Sequence, residues 1–356
     1  MVLLFLACAA HVAPTPDTAP VVALGADSHE VLALQSLSYE WRARPHRLSH
    51  LAFAAALDGP ERGTIAAEVR GGSWASGEVA TDEPTFVTDV VYVASPDLVA
   101  RHGTVKLTVS GALSERHDEE VGRAHTSIEV PADGLPADAS LGVALCGFRF
   151  DSVSHESGYT IHAIGVETGA PVRDGDVVRF DIDARVQPGP VPDRHQHLGT
   201  YGADVQVDWV LLAIDSSGTA TRKVLNARIK DSIVPGQRVQ QFPVTWETAG
   251  TGRAVALLSG FDLDITKDGW VAGRYLRGLA AGIEDERMTG DKYEANVVLT
   301  FANTGPAKRR VPAAARASFT LLQLGAGADV KTDRWTSTGI HQREVVAFPG
   351  LETVYP

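Results

Sequence analysis

The sequence predicts an all-β chain of three tandem antiparallel β-sandwich modules, closed into an intramolecular pseudo-trimer. Two observations carry that expectation. First, a short apolar motif recurs with an acidic residue behind it: Leu32-Ala33-Leu34 then Tyr39-Glu40, Val143-Ala144-Leu145 then Phe150-Asp151, and Val255-Ala256-Leu257 then Leu263-Asp264. The repeat length is roughly 110 residues, one small domain. Second, the runs between these motifs are short, rich in β-branched or aromatic residues, and bounded by Gly, Pro, Asp or Ser.

Each element can be followed through the copies. A second apolar segment ends at Ala56-Leu57-Asp58, Gly165-Val166-Glu167 and Gly282-Ile283-Glu284. The stretch from Ser49 to Leu57 could be helical by pattern, but its counterparts read as strands, so it is assigned as one. A third run covers Thr64 to Val69, Val177 to Ile182 and Asn296 to Phe301. In Val178-Arg179-Phe180-Asp181-Ile182 the apolar residues share one face, as in a half-buried antiparallel strand. A fourth covers Asp89 to Ala94, Asp208 to Ala213 and Ser318 to Gln323. Trp209 and Phe319 on this run are expected in the core, as is Cys146. A connecting strand follows each core at Ala124 to Pro131, Val239 to Val244 and Glu344 to Pro349. The first copy has none before it. The C-terminal strand near Val345 to Phe348 is therefore expected to complete the first module and cover its sheet edge. The expected divisions are a leader and linker over 1–28 and modules over 29–133, 134–249 and 250–356.

The 356 residues are 44% hydrophobic and 21% charged, an ordinary globular composition. Forty-four acidic residues against 32 basic ones give a net charge of −12, which argues against nucleic acid or an anionic membrane as partner. Neutral ligands such as sugars fit this balance. The two cysteines, Cys8 and Cys146, define no disulfide framework. Met1 to Ala10 is apolar, ends in small residues and precedes a Pro/Thr/Ala linker, which resembles the end of a bacterial export signal. Ala7-Cys8-Ala9 has a small-x-small pattern, and Leu6-Ala7-Cys8 suggests a lipoprotein cysteine. The expected location is secreted or at the cell surface, or cytoplasmic if the segment is not a signal. No stretch reads as a membrane span.

The second copy carries a family resemblance. Val143-Ala144-Leu145-Cys146-Gly147-Phe148-Arg149-Phe150-Asp151, then Ile161 to Val166, then Phe180, then Val207 to Ala213, is similar to the H-type lectin module of snail agglutinins and the discoidin C-terminal domain. The resemblance covers framework residues over about two-thirds of the chain. It implies a six-stranded antiparallel sandwich that assembles in threes and binds galactose or N-acetylgalactosamine. The family's sugar-touching arginine has no clear counterpart, Arg277 being nearest. Its loop tryptophan is matched by Ser73-Trp74 alone.

Trp74 lies in the Gly/Ser-rich loop Gly71 to Gly77, where an exposed ring could stack on a sugar. A ring folded back onto the sandwich is the other reading. Asp193-Arg194-His195-Gln196-His197, with Tyr201, is the sharpest polar cluster. His195 and His197 could share a zinc ion on a strand, but they follow Pro188-Gly189-Pro190 in a loop, so a polar contact surface is preferred to a metal site. Asp262-x-Asp264 with Asp268-Gly269 lacks the spacing of a calcium loop. Nucleophile, zinc-protease and phosphate-loop motifs are absent. The expectation is a non-catalytic exported binding protein without cofactor, taking carbohydrate at Ser73, Trp74, Asp193, Arg194, His195, His197 and Tyr201. The alternative is a structural protein whose sandwiches mediate self-assembly.

Overall fold

The computed structural model describes residues 23–41, 46–57, 63–73, 83–112, 122–152, 161–188, 200–230, 240–249, 252–264, 275–304, 312–338 and 342–345. Every regular element among them is a β-strand. β1 (Ala23–Ser28) precedes the first repeat, which comprises β2 (Glu30–Glu40), β3 (His46–Ala56), β4 (Thr64–Ser73), β5 (Thr85–Ala94), β6 (Leu98–Ala112) and β7 (Arg123–Pro131). The second comprises β8 (Ser140–Ser152), β9 (Ile161–Thr168) with its short continuation β10 (Val172–Asp174), β11 (Val177–Pro188), β12 (Thr200–Ile214), β13 (Thr219–Lys230) and β14 (Gln240–Glu247). The third comprises β15 (Arg253–Asp264), β16 (Tyr275–Thr289), β17 (Lys292–Thr304), β18 (Pro312–Leu324), β19 (Asp329–Thr338) and β20 (Gln342–Val345). Strands β6, β13 and β19 have no counterpart in the sequence reading. The signal of β6 lies in Val105, Leu107 and Val109 alternating with Lys106 and Thr108.

The strands form three antiparallel sheets in a sandwich-type arrangement, and each sheet draws on all three repeats. The first runs β1-β6-β12-β8-β3-β4-β20. The second runs β13-β18-β15-β9-β11, with β7 on the far side of β11, and the third runs β19-β5-β2-β16-β17-β14. One rule generates all three. The fifth strand of one repeat is followed by the fourth and first strands of the next. The second and third strands of the starting repeat come after, then the sixth strand of the remaining repeat. The C-terminal β20 lies on β4, with Gln342 opposite Ala67 and Val345 opposite Thr64.

Strand register realigns the copies. The fourth strand pairs Leu34 with Val90, Leu145 with Trp209 and Leu258 with Phe319, so Leu258 rather than Leu257 is the third member of its set. Along the second strand, Ala54, Glu167 and Gly282 are equivalent, which moves Glu167 two residues from its assumed place beside Glu284. Bulges, which add a residue without changing the partner, recur at equivalent places in all three copies. One interrupts each first strand, at Gln35, Cys146 and Ser259. Another falls at Ser49, His162 and Arg277 of the second strands.

The first strands β2, β8 and β15 touch one another, and their bulge side chains join them. Gln35 Nε2 donates to the Ala256 carbonyl at 3.2 Å, and Ser259 Oγ donates to the Val143 carbonyl at 2.7 Å. One apolar cluster here takes Val31 and Ala33, Ala144 and Cys146, and Val255 and Leu257 from the three repeats. The larger cluster fills the space between sheets. Phe180 meets Trp209 edge-on at 5.1 Å, and Phe148 meets Phe261 at 5.5 Å. Trp209 and Phe319 are fully buried. Trp246 stacks on Tyr293 at 5.7 Å.

Burial pushes the Cys146 thiol far above its ordinary value, and the Asp208 charge adds to the shift. Only the thiolate is a nucleophile, so this thiol is expected to resist a disulfide reagent in the native protein and react on unfolding. A thiol count on a Cys8→Ser variant with and without denaturant checks this, and native reaction at the rate of a free thiol would contradict it.

Candidate functional site: a polar trough across the second sheet

One face of each sheet points to the core and the other carries polar groups, as alternation requires. On the second sheet the outward face is built of cross-strand rows. The central row reads Arg123 (β7), Arg185 (β11), Gly165 (β9), Asp262 (β15), Arg316 (β18) and Asn226 (β13). One neighbouring row reads Gln187, Ala163, Asp264, Ala314 and Arg228. The other reads His125, Asp183, Glu167, Gly260, Ser318 and Val224. Small residues occupy the middle of the face, with longer polar side chains on both sides. The result is a trough of 660 Å³ whose lining includes Arg123, Arg185, Asp262, Asp264, Arg316 and Asn226. Gly165 is required on its floor. A Cβ there would come within 2.7 Å of the Phe261 carbonyl oxygen and 2.9 Å of Asp262 Cα.

Charge pairing fixes these side chains. Arg185 is buried, and its Nη1 donates to both carboxylate oxygens of Asp262 at 3.2 Å. Its Nη2 lies 2.9 Å from Asp264 Oδ2. Asp264 is buried and Asp262 is partly open. Burial holds the Asp262 carboxyl above the ordinary range, and the Arg185 charge opposes that shift. Glu167 accepts from Arg222 Nη2 at 2.5 Å and from Ser318 Oγ at 2.7 Å, and Arg316 Nη2 lies 2.9 Å away. Asp183 pairs with His125 at 3.0 Å. A guanidinium gripped by two carboxylates is pre-organised, so it loses little freedom when a ligand arrives.

The other two sheets repeat the geometry with different chemistry. On the first, the equivalents of Arg185, Ala163 and Asp264 are Glu68, His50 and Asp151. His50 is buried, its Nδ1 bonds to Asp151 Oδ1, and its Nε2 lies 3.4 Å from Glu68 Oε2. On the third, the same places hold Thr300, Gly278 and Glu40. The second-strand residue opposite the recurring acidic position is thus alanine, histidine or glycine in turn.

Trp74, Asp193, Arg194, His195 and His197 fall outside the described residues. Ser73 closes β4 opposite His46, and Tyr201 is the second residue of β12, opposite Gly111, both at one end of the first sheet. Asp262 and Asp264 are strand residues on the second sheet, not members of a calcium loop. Among the described residues, no group of three or more His, Cys, Asp or Glu side chains could hold a metal ion. Arg185, Glu167 and Arg316 went unnoticed because each sits on a different strand, and no local motif joins them. Arg277 occupies the second-strand bulge, where its carbonyl accepts from Trp41 N at 2.8 Å and burial lowers its guanidinium pKa. Comparison with models of known protein families, with curated proteins and with solved structures finds no match.

Proposed function

We propose that this protein is a non-catalytic binding protein that takes a saccharide in the trough of the second sheet. The observation that carries the reading is the alternation of donors and acceptors along one row, anchored by the Arg185–Asp262 pair: Arg185, Asp262, Arg316, Asn226. A sugar hydroxyl both donates and accepts, and neighbouring hydroxyls present that capacity at regular spacing. Arginine offers only donors, a carboxylate only acceptors and an amide both, so together they can satisfy a polyol. A concave cleft with a few placed polar groups is the ordinary form of a ligand site. The reading agrees with the H-type lectin resemblance in ligand class but uses a strand face instead of the family's loop.

We also read the chain as an intramolecular pseudo-trimer. The shared strand-order rule and the meeting of β2, β8 and β15 support this. The structural-assembly alternative calls for a broad apolar patch. The described surface exposes only two large aliphatic side chains, Val172 and Val224, on separate strands.

A glycan array probed with wild-type protein, Asn226→Ala and Trp74→Ala tests the proposal. Wild type should bind a defined set of glycans. Asn226→Ala should weaken binding by about tenfold, the equivalent of one well-placed hydrogen bond. Trp74→Ala should leave it within about threefold, well under 1 kcal/mol. Absence of glycan binding, or loss with Trp74→Ala alone, would sink this site assignment.

A further inference from the structure

We infer that the trough selects acidic saccharides, with sugar carboxylates or sulfates held by the arginines of its central row. This rests on the saccharide reading above and specifies its ligand. The lining holds four arginines (Arg123, Arg185, Arg228, Arg316) and four carboxylates (Glu167, Asp183, Asp262, Asp264). The carboxylates are engaged within the protein. Asp262 and Asp264 face Arg185, Glu167 faces Arg222 and Arg316, and Asp183 faces His125. Arg222 adds a further guanidinium just beyond the lining, and His125 there lies between Asp183 at 3.0 Å and Asp181 at 3.8 Å. The lining is balanced in charge, but its exposed ends on the central row are cationic, at Arg123 and Arg316, although the whole chain carries a net charge of −12. Screening decides between the two. Charges farther apart than about 8 Å count little at physiological ionic strength, so the groups in the trough outweigh the distant surface.

Geometry narrows the ligand further. Arg123 and Arg316 belong to strands four places apart in the same row. At about 4.8 Å per strand, that separates their backbones by roughly 19 Å. Arg185 stands between them, one strand in from Arg123. Three guanidinium groups in a line, with hydroxyl-matching Asp262 and Asn226 on the same row, match an elongated chain that alternates polyol and anion. The Arg123 and Arg316 side chains are exposed, so their heads can swing onto an incoming group. Planar guanidinium forks pair with carboxylate or sulfate through two parallel hydrogen bonds.

The test is calorimetric titration of three oligosaccharides of equal length: oligogalacturonate, a sulfated heparin fragment and a neutral galactan fragment. Wild type should bind one or both acidic chains at least about tenfold more tightly than the neutral one, the worth of one charge-assisted contact. The preference should shrink at high salt. In the variant Arg123→Gln the preference for the acidic chain should fall by at least about fivefold, while the neutral affinity moves by less than about threefold. Preference for the carboxylated or the sulfated chain alone supports the inference and identifies the anion. Equal binding of neutral and acidic chains overturns the inference and leaves the saccharide reading standing. Failure of all three to bind overturns both.

Discussion

Replacing Gly282 with valine is expected to abolish stable folding or to cost at least about 3 kcal/mol, beyond the usual penalty for overpacking. The repeats join where the second strand of one pairs with the first strand of the next: Ala54 with Gly147, Glu167 with Gly260, and Gly282 with Ser36. These pairs follow directly after the first-strand bulge, and each contains one glycine. A Cβ on Gly282 would lie 2.0 Å from Ser36 Cβ and 2.3 Å from Ser36 Cα, and one on Gly260 would lie 2.6 Å from Glu167 Cα. The atoms in the way are backbone or the root of a side chain, so rotamer changes cannot relieve the clash. The glycine sits on the first strand in two junctions and on the second strand in the third. Moving it across the pair should therefore be tolerated in part. The double variant Ser36→Gly/Gly282→Ala should recover at least about half of the loss caused by Gly282→Ala alone, a coupling of the size seen between residues in direct contact. It also forfeits the 2.6 Å bond from Ser36 Oγ to Asp89, which Arg334 still holds at 2.7 and 2.8 Å. Urea unfolding of the three variants reads this out. A Gly282→Val protein as stable as wild type would show that the junctions are not close-packed.

Arg185→Met should destabilise the fold by about 3 kcal/mol at neutral pH, because it strands two carboxylates on the floor of the trough. The exposure of Asp262, about a third of its side chain, keeps the value at the low end. The effect should depend on pH in a defined direction. Without the guanidinium, burial and repulsion from Asp264 hold the Asp262 pKa above that of the unfolded chain. A raised carboxyl pKa favours folding while the group is protonated, and that contribution is lost as pH rises through the folded value. The deficit of the variant should therefore be larger at pH 7 than at pH 4. A companion variant, Arg185→Met/Asp262→Asn/Asp264→Leu, should regain most of the stability, since a matched apolar set can replace a buried ion cluster. A pH-independent loss, or no rescue, would indicate that Arg185 contributes by packing and not by charge.

These two sites illustrate how far the sequence could be read. The strand class of nearly every segment was legible, because alternation and β-branched composition are local signals. Val178 to Ile182 and Asp208 to Ala213 could be assigned without knowing their partners. The register was not. Gln35, Cys146 and Ser259 look like ordinary strand residues, and only the pairing on both sides reveals that each is extra. Neighbouring apolar residues on a strand look alike, so matching by composition placed Leu257 one residue and Glu167 two residues from their equivalents. The trough was invisible for a related reason. Arg185 belongs to the second repeat and Asp262 to the third, 77 residues apart, and they meet through exchange of strands between repeats. Loop composition drew attention to Trp74 and His195 because loops advertise polar and aromatic residues, whereas a strand face does so only when its neighbours are known.

By itself, then, the amino-acid order determined that this chain forms strands, that its pattern occurs three times, and that an acidic residue marks each occurrence. Which strands lie side by side was decided by long-range packing: the glycine-dependent junctions, the bulges and the meeting of β2, β8 and β15. The physical reason is that strand propensity resides in single residues, whereas hydrogen-bond partners and shared faces are properties of pairs distant in the chain. Tertiary structure alone could bring arginines and aspartates from separate repeats into one row.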